Sequence, residues 1–207
     1  PGCFSFGYFL AFPDTTYVGL HFELYGLPES TPSLFESYCF GDGGVTASCT
    51  PCPCGNDAPA GSGGGCLNAS GVGAVLTAAG VPSVAQDSLS FSGGGFSPSS
   101  FAILASGAAR LPQNAANPCF GLDSGIPSVL LDGLRCAGSS VLRHGTRATD
   151  ATGSTLAGWG ATNSILGASG FTAGQTRHFQ SFYRVDPATG CGRGQNTTQG
   201  VTVVMQP

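Results

Sequence analysis

The chain contains no lysine. Its seven basic residues are all arginine, and with eleven acids they bring charged residues to only 9% of 207 positions, against about a quarter in ordinary domains. A surface so poor in charge is built from Ser, Thr, Asn, Gln and Gly. It puts little electrostatic repulsion between copies, which suits close packing against neighbours or a coat of sugar. Compositional bias of the genome is the plainer explanation. A net charge of −4 with scattered arginines leaves no basic stripe, so nucleic-acid binding is not expected. No apolar run approaches the roughly 20 residues of a membrane-spanning helix, so no membrane span is expected.

Catalytic signatures are equally scarce. The glycine runs at 63–65 and 93–95 lack the following helix or lysine of a phosphate loop. There is no G-x-S-x-G elbow, and His21, His144 and His178 stand without the flanking signals of a triad. His144, in LRHGTR, and His178, beside Arg177, read as surface or strand-face residues. Three glutamates and eight aspartates fall mostly in turns, and no two are placed as a glycosidase pair. The expectation is a non-enzymatic protein with no catalytic residue.

What the chain has instead is glycine (34), proline (14) and nine cysteines. Cys39, Cys49, Cys52, Cys54 and Cys66 crowd among glycines and prolines that cannot build a packed core, so cross-links must hold this stretch and the compartment is oxidising. Cys119, Cys136 and Cys191 complete the disulfide candidates together with Cys3. Cys49-x2-Cys52-x-Cys54 has thiolates close enough for zinc or an iron–sulfur cluster. It lacks the paired knuckles or nearby histidine pair of a structural zinc site, so disulfides are expected and no metal ligand is assigned. Nine is odd. Cys3 is the candidate for an intermolecular bridge or a free thiol, with an internal bridge to Cys119 as the alternative. The start at Pro1 fits a mature secreted product, as would a trimmed chain. The expected location is extracellular or the cell surface.

Apolar residues alternate and turn residues recur about every ten positions, which predicts an all-β, disulfide-stapled antiparallel sandwich, Ig-like or jelly-roll-like, with little helix. Residues 1–26 read as an aromatic β-hairpin. Phe4, Phe6, Tyr8, Leu10 and Phe12 share a face, residues 13–16 turn, and Val18, Leu20, Phe22 and Leu24 share the next face. Residues 27–38 read as a linker, because 28–37 is rich in Pro and Ser, and 39–207 as the stapled sandwich. Its strands are expected near 74–78, 83–91, 101–106, 127–131, 134–143, 154–159, 177–185 and 201–206. Phe179, Tyr183 and Val185, with Val201, Val203 and Met205, are the expected core faces of the last two.

From residue 39 onward six landmarks stand in order. They are Cys39-Phe40-Gly41-Asp42-Gly43, Cys52-Pro53-Cys54-Gly55-Asn56, Gly65-Cys66-Leu67-Asn68, Asp132-Gly133-Leu134-Arg135-Cys136-Ala137-Gly138, the run FQSFYRVDP from Phe179 to Pro187, and Gln199-Gly200-Val201-Thr202-Val203. In these the chain resembles a cysteine- and glycine-rich module found at the C-terminal ends of many large secreted bacterial proteins. The resemblance implies an extracellular β-sandwich, without an established activity, that rides behind propellers or other secreted domains. Two departures stand out. Little but the aromatic hairpin precedes the module, and Cys3, Cys49 and Cys119 are additional to its usual cysteines.

Binding signals are thin. Asp42, Asn56-Asp57, Asp123 and Asp132 sit with glycines in tight loops, which makes calcium a candidate cofactor. None has the D-x-D-x-D-G spacing, and turn chemistry explains them equally. Asn68-Ala69-Ser70 and Asn196-Thr197-Thr198 are candidate glycosylation sequons on surface loops. Trp159 is the single tryptophan, a ring for stacking on sugar or for packing the core. Two functional expectations follow. One is a self-assembling subunit of an extracellular filament or surface layer, in which Phe4, Phe6, Tyr8, Val18, Leu20 and Phe22 anchor the hairpin to the sheet edge of another copy. The other is an adhesion module that binds polysaccharide.

Overall fold

The structure, a computed structural model, describes residues 7–8, 20–21, 33–43, 49–160, 162–186 and 191–207. The chain divides into two units, Pro1–Ser33 and Leu34–Pro207. In the first, β1 (Gly7–Tyr8) pairs antiparallel with β2 (Leu20–His21), Tyr8 opposite Leu20, as a hairpin requires. Cys3, Phe4, Phe6, Val18 and Phe22 lie outside the described residues.

The second unit runs β3 (Phe35–Tyr38), β4 (Val75–Ala79), β5 (Ser90–Gly94), β6 (Phe101–Gly107), β7 (Ala109–Arg110), β8 (Ile126–Pro127), β9 (Leu134–Arg135), β10 (Ala137–Gly138), β11 (Leu142–Ala148), α1 (Ile165–Ser169), β12 (Thr176–Arg184), β13 (Gln195–Thr197) and β14 (Gly200–Val204). It is an all-β, sandwich-like fold with antiparallel sheets. The main sheet has the order β11-β6-β12-β14-β3, with β13 also paired to β12. Alternation along β12 explains its central place. Phe179 and Tyr183 enter one core, whereas Gln180 points the other way and bonds the Leu134 carbonyl.

The first core joins Phe179, Tyr183, Leu104, Val201 and Val203 of the main sheet to Leu76 and Phe91 of the β4–β5 ladder. Trp159 seals it, fully buried, with its Nε1 donating to the Gly145 carbonyl at 2.9 Å. Val185 and Met205 join the same core, as their alternation predicts. The opposite face carries a second cluster of Tyr38, Leu134 and the sulfurs of Cys39, Cys52, Cys66 and Cys136.

Several expected boundaries move. The last four residues of the expected linker form β3, with Phe35 opposite Val203 and Tyr38 opposite Gly200. Its proline- and serine-rich approach conceals a short strand whose partner lies far along the chain. Residues 83–89 are loop, because Ser83 Oγ accepts from the Ala85 and Gln86 amides and Asp87 from that of Leu89. The 127–131 strand stops at Pro127, and Leu131 N turns back to the Ser128 carbonyl. The 134–143 strand breaks into β9, β10 and the start of β11, with Ser139 and Ser140 at positive φ. Residues 154–159 contribute only single bridges, Thr155 to Thr149 and Trp159 to Phe91.

Candidate functional site

Four disulfides pair eight of the nine cysteines: Cys39–Cys136, Cys49–Cys119, Cys52–Cys66 and Cys54–Cys191. The alternative of a Cys3–Cys119 bridge is thereby corrected, since Cys49 holds Cys119. Cys3 is the one cysteine of the 207 residues outside these four pairs, and two of the three cysteines additional to the module pattern bond each other.

The motif glycines have steric reasons. A Cβ on Gly41 would fall on the backbone of Gly65 and Cys66, and one on Gly65 would fall on the Thr197 carbonyl. Buried amides replace ladder bonds in this stretch. Asn196 Nδ2 donates to the Cys66 and Leu67 carbonyls, Asn56 Nδ2 to those of Leu67 and Asp132, and Gln199 exchanges both bonds with the Leu76 backbone. Asn196 is therefore fully buried, and the expectation of a glycan on a surface loop there is corrected. Asn68 is half-buried, its Nδ2 donating to the Gly95 carbonyl.

The acidic loops are engaged locally. Asp57 accepts from the Cys52 amide, Asp132 from that of Arg193, and Asp123 pairs with Arg110. Among the described residues no three of these acids converge. The one group with metal-ligand proximity is Cys54, Asp132 and Cys191, whose sulfurs are bonded to each other and offer no thiolate.

His144 and His178 lie on strand faces and turn inward. His178 is buried, with Nδ1 3.0 Å from Thr202 Oγ1 and its ring edge-on to Tyr38. His144 sits against Phe179, its Nε2 2.8 Å from Ser106 Oγ and its Nδ1 3.2 Å from Ser169 Oγ. Burial pushes His144 down to about 4, and the nearby Arg177 charge adds to this. Burial likewise brings His178 to about 4. A neutral imidazole on a serine is the first half of a nucleophilic pair. Here Ser106 is 1% exposed, Arg177 Nη2 also bonds its Oγ at 3.2 Å, and the third group is a hydroxyl rather than a carboxylate. The arrangement serves as a polar plug in the core. Nothing in the spacing of residues 106, 144 and 177 signals it.

A more apolar concave feature lies elsewhere. A groove of about 370 Å³ opens over β6 and β12, lined by Ile103, Ala105, Phe182, Leu130 and Val141. Arg135 and Arg143 stand at its rim. It continues past Phe182 into a depression of about 420 Å³ beside Phe101 and Arg184. Leu130 is 69% and Phe101 58% exposed, so this is apolar surface left in water. Among the described residues no carboxylate lines either depression. Its residues went unflagged because they come from separated segments, 101–106, 128–137, 141–146, 182–184 and 195. Comparison with protein-family models, with curated proteins and with solved structures returns no match.

Proposed function

We propose that this protein is a secreted, non-enzymatic structural subunit that joins copies of itself into an extracellular filament or surface layer, residues 1–26 adding strands to the open sheet of a neighbour. The observation that carries the reading is the sheet's termination. Among the described residues its order ends at β11, most of whose side chains are exposed; the Gly145 and Ala148 carbonyls are taken by Trp159 Nε1 and the Leu156 amide, so an added strand would pair along residues 142–144. The N-terminal unit contains an antiparallel pair, the form a donated hairpin takes. Four disulfides support an oxidising location, and among the described residues no helix is long and apolar enough to cross a membrane.

A strand given head-to-tail generates an open fibre unless its rotation closes. The second reading, polysaccharide binding, loses its best stacking ring, since Trp159 is fully buried. Light scattering and electron microscopy of the full chain and of the chain lacking residues 1–26, both oxidised, test the proposal. Fibres from the full chain alone support it. Monomers from both refute it, and a glycan array on the monomer then tests the second reading.

A further inference from the structure

We infer that the arginine-rimmed groove over β6, β11 and β12 is the acceptor for residues 1–26 of a second copy, an inference that rests on the self-assembly reading and names its surface. The groove is apolar at its floor and basic at its edge. Arg135, Arg143 and Arg184 line it, and Arg193 reaches the Ser128 carbonyl at one end. Four of the chain's seven arginines thus gather at one surface, and among the described residues none of the four forms an ion pair, both salt bridges being made by Arg110. A surface of that kind recognises a partner both aromatic and acidic. Rings fill the floor and stack under guanidinium groups, and carboxylates neutralise the rim.

The N-terminal segment has that chemistry. Residues 1–26 include Phe4, Phe6, Tyr8, Phe12, Tyr17 and Phe22, with Asp14 and Glu23 as their only charged side chains. All seven arginines lie at position 110 or later, so acceptor and donor carry opposite charge within one sequence. The groove also borders the start of β11 at Val141 and Arg143, ahead of the carbonyls taken by Trp159 and Leu156, and β11 is an end strand of the sheet among the described residues, so one segment can pair there and cover the apolar floor. Recognition between opposite ends of identical chains is heterologous, which is the symmetry a fibre needs.

Charge exchange tests the assignment in the full-length oxidised protein. The Arg143→Glu, Arg184→Glu chain should lose assembly in light scattering while keeping the thermal midpoint of the parent, because both side chains are exposed and hydrogen-bond to nothing described. Adding Asp14→Arg and Glu23→Arg to that chain should restore fibres, at least tenfold above the acceptor variant in fibre mass. Parent-like assembly of the Arg143→Glu, Arg184→Glu chain would overturn the groove as acceptor and leave self-assembly standing. Loss without rescue by the exchanged charges would also overturn it. A parent chain that stays monomeric at every concentration removes the self-assembly reading itself, and the groove assignment with it.

Discussion

Deleting the Cys39–Cys136 bridge probes how the disulfides share their work. The two cysteines are 97 residues apart, which alone corresponds to about 4.7 kcal/mol of loop-closure entropy. The other bridges persist in the unfolded chain, however, and Cys49–Cys119 shortens the circuit. From Cys39 to Cys49, across that bridge, and from Cys119 to Cys136 is only about 27 residues, for about 3.5 kcal/mol. Both sulfurs are buried, and their loss adds about 1 kcal/mol of packing. Urea unfolding of the Cys39→Ala, Cys136→Ala chain under non-reducing conditions should therefore show a loss of about 4–5 kcal/mol. In a chain already lacking Cys49–Cys119 the same deletion should cost about 1 kcal/mol more, because the shortest circuit, now through Cys54–Cys191, lengthens to about 70 residues. A loss below about 1 kcal/mol, or no coupling between the two bridges, would refute this reasoning.

Gly65→Ala should leave little folded protein, since the new methyl falls on the Thr197 carbonyl and backbone must move; non-reducing gel mobility and circular dichroism report it. Gln180→Leu should cost about 3 kcal/mol in urea unfolding, because it orphans the Thr198 carbonyl and the Cys136 amide and leaves the Leu134 carbonyl to Thr197 Oγ1 alone, groups that Gln180 bonds at 2.8–3.0 Å. Acid should destabilise the fold. His144 and His178 titrate near 4 when folded against about 6.5 unfolded, so the unfolded chain takes up protons first. Their contribution is complete above about pH 6.5 and drains away toward pH 4, on the order of 1–2 kcal/mol per ring after allowance for solvent screening. Urea midpoints at pH 7.5 and 4.5 measure this, and the His144→Gln, His178→Gln chain should flatten the slope. In a glycosylating host, mass spectrometry of folded, secreted protein should find any N-glycan at Asn68 and none at buried Asn196.

Local pattern was enough for the parts of the fold where neighbouring residues share a fate. The alternation of Phe179, Tyr183 and Val185, and of Val201, Val203 and Met205, marked two core strands because side chains two apart point to one face. Cysteine spacing among glycines marked a stapled stretch, because such residues cannot bury enough apolar area to hold themselves. Pairing was different in kind. Which cysteine meets which, that β3 closes the sheet against β14, and that Asn196 is a buried tie rather than a glycan site all depend on residues tens to more than a hundred positions apart. The groove belongs to the same class. Ile103, Arg143 and Phe182 are unremarkable one by one in the sequence, and they form a surface only because the register of β6 against β11 and β12 brings them together. A single sequence determines composition, periodicity and local turn chemistry, whereas long-range register and burial arise only when the whole chain packs.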